Sequence, residues 1–329
     1  MRCWYCGFHG TLDDFEEDMA HHLGFWCPDC DTFTMFDKKE NGKRMFRLYL
    51  EDVSSGNSLE AYQKIKQNVS PLRYPGGKTK LIPYIASILP DTVTRIVEPF
   101  CGGSSVSLAL LLAGKVDEIV LNDMDINVIS LFRTIMDNPH QLIQRIWNTT
   151  LSREQYFSFQ KSLLAEEEIQ EEERAFRFLY CNRTAFSGII FANPMSNLNA
   201  RWNPKVLQKR ILDIWKASDK IMLCMEDAKQ LIEEEYWHGE DTFIFIDPPY
   251  FKKGGALYRK AYQENDHADL SFVLEHLYRQ VPGAHMVITY DNEKVIRDLY
   301  KIPRIQVFKP TYSIANGNQT QKFHKENLF

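Results

Sequence analysis

The sequence predicts an α/β fold built on a doubly wound, mostly parallel sheet. Short apolar runs rich in β-branched and aromatic residues alternate with segments of helical period along most of the chain. One run, residues 242–246, has the length and apolar character of a strand buried on both faces, as in a parallel sheet. A glycine turn at residues 102–103 follows another short run and precedes a helical segment, which is the order of a nucleotide-binding βα unit.

Length and composition limit both fold and function. The chain has 329 residues and is 44% apolar, enough to bury the core of one large α/β domain with an appendage. A net charge of −5 means that any contact with nucleic acid depends on local basic patches. No apolar run approaches the roughly 20 residues of a membrane span, and the first residues lack the apolar core of a signal peptide. We therefore expect a cytoplasmic protein with no membrane partner.

The N-terminal segment contains four clustered cysteines. Cys3 and Cys6 form one C-x₂-C pair, and Cys27 and Cys30 form a second pair 20 residues later. This spacing is typical of a tetrahedral Cys₄ zinc site. A segment of fewer than about 40 residues needs such a cross-link to fold, so we expect residues 1–37 to be a zinc ribbon with a structural zinc. Two disulfides are the alternative. The ribbon can read DNA, bind a protein partner or cap the next domain.

Residues 38–70 are predicted to be a linker, because charge and polarity rise there and a Ser-, Gly- and Asn-rich cluster occupies positions 54–58. The main domain is then residues 71–329. Near its start, residues 73–78 read Arg-Tyr-Pro-Gly-Gly-Lys. Paired glycines let the backbone approach a ligand closely, and Lys78 stands at the start of a helical segment. A simple turn is the alternative interpretation.

The first predicted βα unit contains the glycine turn. Residues 95–98 form a predicted strand that ends on Glu98, and a helix follows the turn through residue 113. The turn lacks the G-x-G-x-x-G spacing of a pyrophosphate binder, which favours a ligand without phosphate and argues against a dehydrogenase. A second strand, 118–121, leads to Asp123, 20 residues after Gly103. An acid there can hold the two hydroxyls of a ribose, or it can cap the next helix, 126–137.

Helices and strands continue to alternate in the rest of the domain. Residues 141–180 are predicted to be helical, with an acidic surface run, and the irregular stretch 186–204 can carry recognition. A strand at 221–225 leads to Asp227 at the same sheet edge. The basic loop 252–263 can follow a phosphate backbone or be only solvated. The last predicted elements are a helix at 267–280, a strand at 286–290, a helix at 292–300, and strands at 305–308 and about 327–329.

The strand at 242–246 stops on Asp247, Pro248, Pro249 and Tyr250. The prolines have no N–H for a sheet and keep the backbone rigid. Asp247 is thus predicted at the carboxyl end of a strand, where open α/β sheets bind ligands. Its carboxylate and a backbone carbonyl can each accept one N–H of a planar amine, and Tyr250 offers a flat stacking face. A strand followed by a proline-rich turn is the plain alternative.

Three motifs together resemble the Dam-like alpha group of DNA adenine-N6 methyltransferases. They are residues 73–78, residues 98–103 (Glu-Pro-Phe-Cys-Gly-Gly) and residues 247–250, with Asn182-Arg183 between the second and the third. The resemblance implies a Rossmann-like methyltransferase sheet with an inserted target-recognition region at about 140–218. It also implies methyl transfer from S-adenosylmethionine to N6 of an adenine flipped out of double-stranded DNA. The zinc ribbon lies outside the resemblance.

The resemblance implies roles for individual residues. Asp247, Pro248, Pro249 and Tyr250 would be the catalytic residues that hold the flipped adenine. The pocket for S-adenosylmethionine would be lined by Tyr74, Lys78, Glu98, Phe100, Gly102, Asp123 and Asp227. Two positions depart from the family pattern, since Ser104 replaces a frequent glycine, and Phe191 stands where readers of GATC carry an arginine. The target sequence is therefore not implied.

Two other functional classes remain open on the sequence. An N-methyltransferase acting on cytosine N4, RNA or a protein amide needs the same planar-amine chemistry, and a non-catalytic DNA-binding module can keep the same fold. The order of the three motifs favours DNA adenine.

Overall fold

The computed structural model describes residues 44–52, 65, 68–73, 77–165, 167–190, 192–251, 262–280 and 283–308, together with the backbone of three short strands before residue 36. The strands are β1 (Glu16–Glu17), β2 (Gly24–Trp26), β3 (Phe33–Met35), β4 (Phe46–Glu51), β5 (Arg95–Glu98), β6 (Glu118–Asn122), β7 (Ile221–Cys224), β8 (Thr242–Ile246), β9 (His285–Asp291) and β10 (Arg304–Phe308). The helices are α1 (Ile82–Ile88), α2 (Ser105–Leu112), α3 (Ile126–Asp137), α4 (Pro139–Asn148), α5 (Arg153–Leu164), α6 (Glu171–Thr184), α7 (Pro204–Trp215), α8 (Ala228–Tyr236), α9 (Glu264–Gln280) and α10 (Lys294–Leu299).

Seven of the strands form one sheet in the order β10, β4, β9, β8, β5, β6, β7. Each neighbouring pair in this sheet is parallel. The chain runs outward from β5 through β6 to β7, then crosses to β8 on the other side of β5 and continues to β9. The sheet is therefore doubly wound with a switch point between β5 and β8, and the predicted fold class is confirmed.

Alternate residues of the strands feed two apolar layers, one on each face of the sheet. In β8, Phe243 and Phe245 pack into the layer that contains helices α1 to α7. Ile244 and Ile246 pack into the layer that contains α8, α9 and α10. All five residues of β8 are buried, as the apolar run predicted. A strand in this position stabilises both layers at once.

Strand β4 lies in the segment that the sequence analysis assigned to a linker. It pairs with β9 on one side and with β10 on the other, and Leu48, Tyr49 and Leu50 are fully buried. The linker prediction for residues 38–70 is thus wrong for this part, and the main domain includes it. The run looked polar because it contains Arg47 and Glu51, but both find partners inside the fold. The Arg47 guanidinium, for example, donates to the hydroxyls of Tyr49 and Tyr84.

The three short strands β1, β2 and β3 form a separate antiparallel sheet. The structure describes these strands only, and Cys3, Cys6, Cys27 and Cys30 lie outside the described residues. The predicted terminal strand at about 327–329 and most of the basic loop 252–263 lie outside them as well. In the part of the chain that the structure describes, no helix has the length and apolarity to span a bilayer.

Helices α3 to α7 follow β6 and precede β7 along the chain. They span most of the range predicted as a recognition region. Local capping sets their starts, since the side chains of Asp125, Ser152 and Asn203 accept hydrogen bonds from the first turns of α3, α5 and α7. Within the irregular stretch, Trp202 is buried and its indole N–H donates to the carbonyl of Ile146 on α4. The stretch therefore rests on a packed helical base.

Candidate active site

A cavity opens at the carboxyl edge of the sheet, beside the switch point between β5 and β8. The space between its walls is about 960 Å³, a figure that includes the solvent at its open mouth. Its walls come from the ends of β5, β6 and β8 and from the starts of α2, α3 and α8. The lining residues are Gly77, Lys78, Glu98, Pro99, Phe100, Cys101, Gly102, Gly103, Ser104, Ser105, Asp123, Met124, Asp125, Asp227, Ala228, Asp247, Pro249 and Tyr262.

The glycine turn between β5 and α2 forms one wall of the cavity. Gly102 has φ 45° and Ser104 also has φ 45°, in the left-handed region. A non-glycine residue costs about 1 kcal/mol or more there, which explains why a glycine suits position 104. Ser104 compensates with its side chain, whose hydroxyl donates to Oε2 of Glu98 at 2.9 Å. The turn is thereby tied to the end of β5.

Asp123 fixes the other side of the turn. Its Oδ2 accepts from the backbone N–H of Gly102 at 2.8 Å, and its Oδ1 accepts from the N–H of Asp125 at 2.8 Å. The N-cap of α3 is Asp125, which accepts from the N–H of Asn127. Asp123 is therefore not the cap of that helix. Asp227 does cap its helix, α8, and also lines the cavity.

Glu98 is a buried acid in the cavity wall, 4% exposed. Burial raises the pKa of its carboxyl group to about 8, and the nearby charge of Asp247 raises it as well. Hydrogen bonds from serine hydroxyls oppose the shift. At neutral pH Glu98 is therefore largely protonated when no cation lies beside it. A cation placed in the cavity favours the charged form of this group.

Asp247 and Lys78 form a buried ion pair at the carboxyl end of β8. Nζ of Lys78 lies 2.7 Å from each of the two carboxylate oxygens of Asp247. The hydroxyl of Thr289, on β9, donates to Oδ1 of Asp247 at 2.6 Å. Burial raises the pKa of Asp247, and Lys78 opposes that shift. Burial lowers the pKa of Lys78, but Asp247 and Glu51 outweigh it, so the ammonium stays charged.

Tyr250 lies directly beside this pair. Its ring is buried, and Nζ of Lys78 lies 4.7 Å from the ring centroid. The next residue, Phe251, donates its backbone N–H to Oδ1 of Asp291 at 3.1 Å, which anchors the chain after the two prolines. Asp247 and the Tyr250 ring are thus both in contact with the same ammonium group.

A group of four arginines lies around the C-terminal end of α6. They are Arg73, Arg183, Arg201 and Arg210. Arg183 donates from Nε and Nη2 to the carbonyl of Arg201, and the Asn182 side chain hydrogen-bonds both backbone groups of Arg73. Burial and the like charges of Arg210, Arg73 and Arg201 lower the pKa of Arg183 to about 10. None of the four has a carboxylate partner among the described residues. Nη1 of Arg201 is buried and, within the same part of the chain, unpartnered.

Comparison with known families decides the classification. The profile of the D12 class N6 adenine-specific DNA methyltransferases matches residues 74–314. The match covers well over half of the chain. The chain belongs to this family.

Several relatives of the D12 methyltransferase resemble it over most of its length. It is 26% identical to the type II methyltransferase M1.LlaDCHI of Lactococcus lactis subsp. cremoris, over 74% of this chain and 88% of that protein. It is 24% identical to the Retron Ec67 DNA adenine methylase of Escherichia coli, over 70% of this chain and 80% of that protein. It is also 24% identical to the DNA adenine methylase of Haemophilus influenzae, over 56% and 67% respectively.

The D12 methyltransferase brings most of the predicted site residues together around one cavity. Lys78, Glu98, Phe100, Gly102, Asp123, Asp227, Asp247 and Pro249 all line it. Pro248 and Tyr250 follow Asp247 but are not lining residues, and Tyr74 and Phe191 lie outside the described residues. Sequence reasoning missed Tyr262, Thr289 and Glu51. Tyr262 precedes a helix without any motif, and Glu51 lies on the overlooked strand β4, before the range that the family profile matches.

Proposed function

We propose that the protein transfers a methyl group from S-adenosylmethionine to the N6 amine of an adenine flipped out of double-stranded DNA. The observation that carries this proposal is the position of Asp247, at the end of β8 and on the rim of the cavity. The cavity supplies the cofactor site, and the Asp-Pro-Pro-Tyr segment supplies the amine site. Family membership supports adenine N6 as the acceptor.

The cavity has the chemistry that the cofactor requires. Four acids of its wall, Glu98, Asp123, Asp125 and Asp227, favour a ligand with positive charge and hydroxyl donors. Phe100 and Tyr262 lie in the same wall with ring centroids 5.4 Å apart, which suits a flat heterocycle. The glycine turn lacks a phosphate-binding spacing, and the cofactor has no phosphate. When bound, S-adenosylmethionine supplies a methyl group on a positively charged sulfur.

Asp247 acts on the acceptor nitrogen. Its carboxylate and the carbonyl of Pro248 each accept a hydrogen bond from one of the two N6–H groups. These bonds direct the nitrogen lone pair at the methyl carbon. The new nitrogen–carbon bond takes that lone pair, the sulfur–carbon bond breaks with its electrons left on sulfur, and the nitrogen gives up one proton to water. Tyr250 offers an aromatic face to the flipped base, which offsets part of the few kcal/mol that flipping costs.

The four-arginine group supports DNA as the substrate. Arginines that have no carboxylate partner in the described part of the chain, clustered on a protein of net charge −5, are suited to the phosphates of a nucleic acid. Arg183 belongs to α6, Arg210 to α7 and Arg201 to the irregular stretch between them. The fourth, Arg73, lies five residues before Lys78. We place target recognition in this region, at about residues 140–218. A protein that methylates DNA works where the DNA is, in the cytoplasm on nucleoid or phage DNA.

A transfer assay with tritium-labelled S-adenosylmethionine tests the substrate class. We expect label in unmethylated duplex DNA and none in RNA of the same sequence or in a mixture of soluble proteins. Label in RNA or protein alone would move the enzyme to another class of N-methyltransferase. Cofactor binding with no label in any acceptor would favour a non-catalytic module.

Asp123→Ala is expected to weaken S-adenosylmethionine binding by about 1.5 to 3 kcal/mol, the range for hydrogen bonds to a charged group. Titration calorimetry measures the change in the dissociation constant. The matched control is Asp117→Ala, which removes an exposed acid just before the opposite end of β6. An unchanged dissociation constant in Asp123→Ala would show that Asp123 only holds the glycine turn.

Glu98→Gln is expected to change how stability depends on pH. The pKa of Glu98 is about 8 in the folded protein and about 4.3 in an unfolded chain. The folded state thus holds the proton to higher pH, and the free energy of unfolding falls as pH rises from about 4 to 8. Glu98→Gln lacks this loss, so its stability relative to wild type should increase over that interval. Denaturation of the ligand-free proteins at pH 5 and pH 8 measures it, with the exposed Glu172→Gln as control. Parallel curves would contradict the assignment.

We further propose that Cys3, Cys6, Cys27 and Cys30 bind one structural zinc. The support is their spacing, and elemental analysis should find about one zinc per chain, lost in Cys27→Ser. The ribbon can be removed without harm to the sheet only upstream of β4, so the truncation should begin at Arg44. If this shorter enzyme methylates DNA at the full rate and with unchanged site preference, a protein partner is the better role for the ribbon. Four disulfide-bonded thiols without metal would refute the zinc site.

A further inference from the structure

Glu51 extends the buried ion pair of the active site to a third charged group. Its Oε1 lies 3.6 Å from Nζ of Lys78, and the side chains of Glu51 and Lys78 are 8% and 3% exposed. Lys78 therefore lies between two buried carboxylates, with the shorter contacts to Asp247 at 2.7 Å. Glu51 does not line the cavity among the described residues.

The position of Glu51 follows from the sheet. It ends β4, where it is in register with Asp291 of β9 and with Phe308 of β10. Asp247 follows β8, the next strand after β9, at the same carboxyl edge. The strand that the family profile does not include therefore brings an acid to the catalytic edge.

Lys78 contacts both groups that the proposed function assigns to the adenine, the carboxylate of Asp247 and the ring of Tyr250. Its ammonium donates to Asp247, as an N6 amine would, and lies 4.7 Å from the centroid of the Tyr250 ring, where a base would stack. The amine and the ammonium are both N–H donors, so they compete for the same oxygens. Oδ1 of Asp247 already accepts from both Thr289 and Lys78, and Nζ of Lys78 lies beside the Tyr250 ring, so an adenine that binds Asp247 and stacks on Tyr250 would meet the ammonium in its way. A buried ammonium, however, cannot move away from all negative charge without a large penalty.

We propose that Glu51 is a positioning residue that receives the Lys78 ammonium when the adenine enters, and so opens Asp247 and the face of Tyr250 to the base. A shift of about 1 Å toward Glu51 brings the ammonium from a contact of 3.6 Å to hydrogen-bonding distance. The ammonium keeps a carboxylate partner throughout, and Thr289 continues to hold Oδ1 of Asp247. This role rests on the proposed function and assigns the N-terminal strand a part in catalysis.

Glu51→Gln tests the proposal, because it keeps the shape of the side chain and removes its charge. We expect a loss of kcat of at least tenfold, with the dissociation constant for S-adenosylmethionine changed less than twofold. A duplex with 2-aminopurine in place of the target adenine should show a smaller fluorescence increase on binding. Glu51→Asp keeps the charge and should recover part of the lost kcat. The matched control is Asp52→Asn, whose carboxylate instead accepts from the Asn292 side chain.

The pH profile separates this role from a merely structural one. Among the described residues, the titratable groups that act on Asp247 include Lys78, Glu51 and the buried acid Glu98, and Asp291 on β9 lies in register with Glu51 at the same sheet edge. The charge of Glu51 raises the pKa of Asp247, so Glu51→Gln should move the acid limb of kcat to lower pH. An unshifted limb, an unchanged kcat or equal losses in Glu51→Gln and Asp52→Asn would overturn the proposal. If the wild type methylates adenine normally in those experiments, the proposed function stands regardless.

Discussion

Asp247→Ala should abolish methyl transfer while largely sparing S-adenosylmethionine binding. In the proposed function the carboxylate faces the acceptor amine, whereas the other acids of the cavity and the glycine turn hold the cofactor, and this change leaves them in place. Loss of an interaction made mainly in the transition state lowers kcat rather than cofactor affinity. Asp247→Asn keeps one acceptor oxygen and is expected to retain a trace of activity. Tritium-methyl incorporation into unmodified DNA and calorimetry of the cofactor measure the two effects.

The control for this substitution is Asp241→Ala, an exposed acid just before the other end of β8. It should keep the activity of the wild type. Near wild-type turnover in Asp247→Ala would remove Asp247 from the mechanism. Equal loss of turnover and of cofactor binding would place it in the cofactor pocket instead.

Lys78→Met should destabilise the protein by about 3 to 5 kcal/mol at pH 7, the range for a buried charge pair deprived of one partner. The substitution leaves Asp247 and Glu51 buried without the ammonium between them. Lys78 opposes the effect of burial on the pKa of Asp247, so this pKa should rise further without it. Acids with a raised pKa stabilise the folded state below the unfolded pKa of about 4, and that contribution is lost as pH rises. The stability deficit should therefore shrink as pH falls from 7 toward 4.

Chemical denaturation of wild type and variant at several pH values measures this deficit. Lys80→Met is the matched control, because Lys80 is exposed and lies two residues further along the chain. It should change the free energy of unfolding by less than about 0.5 kcal/mol. A deficit in Lys78→Met that is small, or that stays the same at all pH values, would contradict the buried charge cluster.

The sequence predicted the sheet well where burial alone decides the structure. The run 242–246 consists of one threonine and four large apolar residues, and it forms a strand buried on both faces. Each of four predicted strands ends on or just before an acid, which predicted that Glu98, Asp123, Asp227 and Asp247 share one sheet edge. In the structure all four line one cavity. Parallel topology brings the carboxyl ends of strands to the same edge, so this arrangement needs no knowledge of individual contacts.

The sequence failed where long-range pairing overrides local polarity. Strand β4 carries Arg47 and Glu51 and is flanked by polar residues, which is a pattern that predicts a linker. Its polar side chains find partners distant in sequence, since Arg47 donates a hydrogen bond to Tyr84 and Glu51 lies 3.6 Å from the ammonium of Lys78. The contact between Lys78 and Asp247 spans 169 positions and was equally invisible, since the glycine motif indicated a helix start for Lys78 and not an ion pair.

The identity of the methylated nucleoside tests the central claim most directly. Duplex DNA of mixed sequence is incubated with the protein and isotope-labelled S-adenosylmethionine, digested to nucleosides and analysed by mass spectrometry. We predict labelled N6-methyladenine in the wild-type digest and none in that of Asp247→Ala. Labelled N4-methylcytosine in place of N6-methyladenine, or no labelled nucleoside from a protein that binds the cofactor, would contradict it.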